Sequence, residues 1–83
     1  MNYGDSIKLL ATDGEETRRF KLQRSGAANS GGYRLYGYNP DKNALNLLED
    51  FSINGHPSRS AVVREAKNRI QFYTGDSWTI ETA

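Results

Sequence analysis

The stretch SRSAVVREAKNRIQFYTGDSWTI, from Ser58 to Ile80, constrains what this chain can fold into more than any other part of it. Ser58 is a candidate N-cap, because a serine hydroxyl accepts from the free backbone N–H groups of a first helical turn. Val62, Val63, Ala66 and Ile70 recur at helical spacing and make one apolar stripe, with Arg59, Arg64, Lys67 and Arg69 largely off it. Gly75 ends the segment. Trp78 and Ile80 then alternate with Ser77, Thr79 and Glu81, the period of two that a half-buried strand requires. A helix with one apolar stripe needs a sheet to lie on, and the preceding residues must supply it.

They do so by alternation. Ile7, Leu9 and Ala11 share one side of a first strand. Asp13-Gly14 follows and tolerates the positive φ angles of a tight hairpin connection. In the second strand Phe20 and Leu22 face one way, Arg19, Lys21 and Gln23 the other. Ser25 to Gly32 (SGAANSGG) has no large side chain to bury and reads as a connection. Tyr33 to Tyr38 resumes alternation as a third strand, Tyr33 and Leu35 opposing Arg34, Tyr36 and Tyr38.

Asn39-Pro40 next suits a helix start, asparagine as N-cap and proline at the first helical position. Ala44, Leu47, Leu48 and Phe51 fall at i, i+3, i+4 and i+7. A competing reading makes 40–43 a hairpin turn and Ala44 to Ile53 a fourth strand, but Leu48 breaks its alternation, so the spacing predicts a short helix. The fold expected is therefore a single α+β domain over residues 1–83: an antiparallel sheet of three to four strands, with one long helix and one short helix packed on one face.

A chain of 83 residues buries only about 60% of the surface its unfolded form exposes, which leaves little for a deep cleft. There is no cysteine, so disulfides, thiolate metal sites and cysteine nucleophiles are excluded. Neither a charged start followed by an apolar run nor a long apolar segment occurs, so no signal peptide or membrane span is expected and the setting is read as cytoplasmic. His56 is the only histidine, set before a proline in a turn, and one histidine makes no zinc cluster. Ser58 and Ser60 near it are more simply cap and turn residues than nucleophiles. The same helix start, with Arg59, offers a phosphate the partial site that any helix start offers, and ordinary capping is the simpler reading. Glu15-Glu16 and Glu49-Asp50 are adjacent carboxylates, which diverge on either a strand or a helix and make no acid/base dyad. No enzymatic activity and no cofactor are expected.

Net charge is only +1, yet its distribution is uneven. Between Thr17 and Tyr38 stand Arg18, Arg19, Lys21, Arg24 and Arg34 without one acid. If Phe20, Leu22, Tyr33, Leu35 and Trp78 face the helix, then Lys8, Arg19, Lys21, Arg34, Tyr36 and Tyr38 face away from it. Arginine and tyrosine are enriched at protein interface hot spots, and cations beside aromatic rings also suit single-stranded nucleic acid. Solubilising charge and β-propensity alone account for such residues too. The binding residues expected are Arg19, Lys21, Arg34, Tyr36 and Tyr38 on the sheet, with Arg64 and Lys67 as a second surface on the helix.

Arg34-Leu35-Tyr36-Gly37-Tyr38 is similar to the start of the RNA-recognition-motif signature, Arg/Lys-Gly-aromatic-Gly-aromatic. It departs at Leu35 and at Asn39-Pro40, and that family sets a helix where this chain has an Asp-Gly hairpin. In format, the chain resembles the small phage-encoded inhibitors of bacterial defence, the anti-CRISPR proteins: a short chain, a few antiparallel strands, one or two helices, no catalytic inventory and mixed charged patches. That resemblance carries no residue across. It implies stoichiometric binding to a protein partner, a CRISPR effector complex, that blocks DNA entry or a conformational step. A nucleic-acid-binding module is the alternative, and oligomeric state is left open.

Overall fold

The computed structural model describes residues 6–25, 32–53, 55 and 57–83. The interior of the connection read at 25–32, and His56, lie outside them. Five strands, β1 (Ser6–Thr12), β2 (Thr17–Ser25), β3 (Gly32–Asn39), β4 (Ala44–Ser52) and β5 (Thr79–Thr82), and one helix, α1 (Arg59–Thr74), follow in the chain order β1-β2-β3-β4-α1-β5. They form one antiparallel sheet of spatial order β4-β3-β2-β1-β5. The first four strands are a meander, each next to its sequence neighbour. α1 then returns the chain to the far edge, where β5 pairs with β1.

Two expectations are overturned here. The sheet has five strands rather than three to four, and the short helix expected from the 44–51 spacing is β4. Its cause is local. Between the pairs Leu35↔Glu49 and Tyr36↔Leu47 the register shifts, leaving Leu48 as an extra residue on β4. Such a bulge breaks the period of two and can leave apolar residues three and four apart, as in a helix. Asn39-Pro40 starts a turn instead of a helix. The Asp41 N–H donates to Asn39 Oδ1 (3.0 Å), the Asn43 N–H donates to the Pro40 carbonyl (3.4 Å), and Asn43 takes the left-handed conformation at φ 49° that asparagine tolerates. Tyr38 Oη donates to Asn43 Oδ1 and ties the turn to the strand before it.

The β1–β2 connection is longer than the Asp-Gly pair suggests, because Thr12 faces Thr17 across a four-residue loop. Asp13 Oδ1 accepts from the N–H groups of Glu15 (2.9 Å) and Glu16 (2.7 Å), and Gly14 carries the positive φ, 97°. α1 keeps its expected ends: Ser58 Oγ accepts from the Ala61 N–H at 3.2 Å, and the Gly75 N–H donates to the Gln71 carbonyl at 2.8 Å.

The core lies between α1 and one face of the sheet. Ile7, Leu9, Ala11, Phe20, Leu22, Tyr33, Leu35 and Phe51 meet Val62, Ala66 and Ile70, with Leu48, Ile53, Val63, Trp78 and Ile80 packed round the rim. Tyr33 and Phe51 stack at 5.7 Å. The last turns of α1 are pinned to β4 by Arg69, whose guanidinium bonds Glu49 (2.7 Å) and Glu65 (2.9 Å) and lies 4.0 Å from the Phe51 ring centre. Tyr73 Oη donates to the other Glu49 oxygen at 3.1 Å.

Candidate binding surfaces

Among the described residues the sheet is covered on one face only, and the pairing register determines what the other face carries. Lys8 lies opposite Lys21, Lys21 opposite Tyr36, and Tyr36 opposite Leu47, which makes one row across four strands. Beside it Leu10 pairs with Arg19 and Tyr38 with Leu45, and the Arg19 guanidinium sits 4.9 Å from the Tyr38 ring centre. A third row joins Gln23, Arg34 and Asp50, where Arg34 Nε meets Asp50 Oδ1 at 3.2 Å. All five sheet residues expected to bind, Arg19, Lys21, Arg34, Tyr36 and Tyr38, therefore come together on the open face. Arg34 is the one of them that makes an ion pair with a described residue.

Three leucines belong to this face: Leu10, where its alternation with Ile7, Leu9 and Ala11 puts it, and Leu45 and Leu47, which were not anticipated there. Leu10, Leu45 and Leu47 are 37%, 44% and 50% exposed. The signal for the last two is the alternation Leu45-Asn46-Leu47 behind a hairpin turn, which the helical reading set aside when it placed Leu47 on an apolar stripe with Ala44, Leu48 and Phe51. The face thus grades from cations on β1 and β2, through rings on β3, to leucines on β4. Such a gradient offers a partner both an apolar anchor and a charged rim.

Arg64 and Lys67 lie elsewhere. With Arg59 they line a shallow groove between α1 and β5, of about 640 Å³, to which Thr82 also contributes. A second recess of about 530 Å³ has Phe20, Gly37 and Leu48 in its lining with Tyr38, Asn46 and Tyr73. Leu48 closes over Gly37 so tightly that a Cβ there would stand 3.1 Å from Leu48 Cδ1.

The two carboxylates of β4 are engaged in structure. Glu49 and Asp50 point to opposite faces of β4, Glu49 to Arg69 and Tyr73, Asp50 to Arg34. The hydrogen bond from Arg69 to Glu49 raises the arginine pKa beyond its usual range, and burial with the Glu49 contact pushes the Tyr73 phenol up. Arg18 bonds Glu16 (3.3 Å) and lies 5.0 Å from the Trp78 ring centre. Among the described residues no group of three or more metal-ligating side chains comes together, and no helix is long and apolar enough to cross a membrane.

The architecture defines a class: a small α+β fold with one helix packed on one face of an antiparallel sheet. Comparison with known proteins finds no matching family model and no similar curated protein or solved structure.

Proposed function

We propose that this chain is a non-catalytic binding protein whose open sheet face docks on a protein partner and inhibits it stoichiometrically, as its anti-CRISPR-like format implies, with a CRISPR effector complex in a bacterial cytoplasm as the target. The observation that carries the reading is the exposure of Leu10, Leu45 and Leu47 around the Arg19–Tyr38 stack. Leucines exposed beside arginine and tyrosine match an interface core with its hot-spot residues, and apolar side chains give a phosphate backbone nothing to bind.

The test is native mass spectrometry of the protein with purified effector complexes, together with their DNA-cleavage assay. The expected result is a defined stoichiometric complex and loss of cleavage. Tyr36→Ala with Leu47→Ala should weaken that complex at least tenfold, about 1.4 kcal/mol. Failure to form a complex with any effector, or full affinity in the double variant, rejects the proposal.

One observation favours a second reading. Lys8 and Lys21 are direct cross-strand neighbours, an arrangement that costs stability unless an anion lies over it. For a nucleic-acid-binding face, affinity for single-stranded DNA or RNA must fall steeply between low and moderate salt. An affinity that does not change with salt eliminates this alternative.

A further inference from the structure

We propose that the groove between α1 and the free edge of β5 binds an extended acidic segment of a partner protein, which adds to the sheet as a sixth strand beside β5. This site is separate from the open face, and it stands whether or not that face binds as proposed.

Among the described residues β5 is an edge strand, paired only with β1. The Ala83 N–H donates to the Lys8 carbonyl at 2.8 Å, and the same register sets Glu81 opposite Leu10 and Thr79 opposite Thr12. In an antiparallel ladder the residues that exchange hydrogen bonds alternate with those that do not. Ala83, Glu81 and Thr79 therefore turn their backbone groups towards β1. Ile80 and Thr82 turn theirs outward, to the open edge. An edge of this kind is a template for an added strand.

Side chains give that strand its chemistry. Thr82 lines the groove from one side and Arg59, Ser60, Val63, Arg64 and Lys67 line it from the other. No acid is among these lining residues, and none of the three cations makes an ion pair with a described residue. From Arg59 to Lys67 the helix rises about 12 Å. An extended chain carries three alternate side chains over about 13 Å. A segment with an acid at every second position thus matches the cations in charge and in spacing, while Val63 takes the methylenes between them. A neutral or basic strand would leave three cations facing it uncompensated.

The test uses the intact protein and a fluorescein-labelled peptide of nine residues alternating threonine and glutamate. Fluorescence anisotropy is expected to show saturable binding, at least tenfold weaker for the glutamine-for-glutamate peptide and for the Arg64→Glu, Lys67→Glu protein. Arg64 is exposed and Lys67 half-buried, and a thermal melt checks that the variant is folded. Two further peptides carry N-methyl groups on complementary alternate residues. Unequal affinities of the two support strand addition, because only one set of N–H groups faces β5. Equal affinities, whether both retained or both lost, overturn it. In the wild-type protein, amide NMR shifts on adding the peptide should centre on Ile80 and Thr82, and shifts centred on the open face reject the site. Tighter binding of a thymidine nonamer than of the peptide assigns the groove to nucleic acid. A concentration-dependent dimer with shifts at Thr82 assigns it to a second copy. Either result also overturns the proposal.

Discussion

Asp13 is an exposed carboxylate whose importance lies in its hydrogen bonds rather than in burial. Its Oδ1 accepts the N–H groups of Glu16 and Glu15, and these hold the carboxyl below its ordinary pKa. A carboxyl whose folded-state pKa is depressed stabilises the fold above its unfolded-state pKa, and that stabilisation disappears as pH falls through the folded value. Asp13→Ala should therefore lower the melting temperature at neutral pH and leave it nearly unchanged well below the carboxylate range. Thermal melts across an acid pH series check this, and an equal loss at every pH contradicts it. Gly37 is constrained by a neighbour instead. Leu48 Cδ1, the flexible end of a half-buried side chain, lies over it. Gly37→Ala should stay within about 1 kcal/mol of wild type, since the lost strand entropy offsets a small shift of Leu48. Gly37→Val should push Leu48 off the rim and cost about 2 kcal/mol in urea denaturation.

Among the elements, β4 is the one whose character depends on long-range partners. Arg69 and Tyr73 from α1 converge on Glu49, so the edge strand is held to the helix as well as to β3. A half-buried charged pair of this geometry is worth about 1–2 kcal/mol of coupling. In a double-mutant cycle, Arg69→Met and Glu49→Gln should each destabilise by more than the additional loss on combining them. Strict additivity would mean that the contact contributes nothing. β4 is also where the sequence was hardest to read. α1 announces itself through Ser58, the Val62-Ala66-Ile70 stripe and Gly75, and β1, β2 and β3 through strict alternation; all four lie where their patterns put them. In β4 the residue out of step, Leu48, is a bulge that exists only because β3 pairs beside it. Local pattern cannot distinguish that from a helical turn. The error hid part of the candidate site as well, since the helical spacing put Leu47 on the apolar stripe, whereas it faces away from the core. Arg19, Lys21, Tyr36 and Tyr38 were legible because their own strands alternate without interruption.

For the molecule as a whole, one sheet presents two separate surfaces, and on the nucleic-acid reading stability and recognition pull against each other at Lys8. Lys8→Glu converts a repulsive cross-strand neighbour of Lys21 into an attractive one and should raise stability by about 0.5 kcal/mol. The same change removes positive charge from the open face. Affinity for a nucleic acid should fall several-fold and its salt dependence flatten, whereas a protein partner held by Leu45, Leu47 and Tyr36 should lose little. Chemical denaturation and binding titrations at two salt concentrations measure both halves of this trade.

Because α1 covers only one side of the sheet, each strand is written in two interleaved alphabets. In β2, Phe20 and Leu22 are buried while Arg19 and Lys21 face outward. In β1, Ile7, Leu9 and Ala11 are buried while Lys8 and Leu10 face outward. Successive letters report to different masters, one set to the core and the other to whatever lies outside. The outward letters can be rewritten to meet a new partner without disturbing a single core contact, so recognition can diversify quickly while the fold stands still. A one-residue slip of register is the change that this arrangement cannot absorb, because it would exchange the two messages at once.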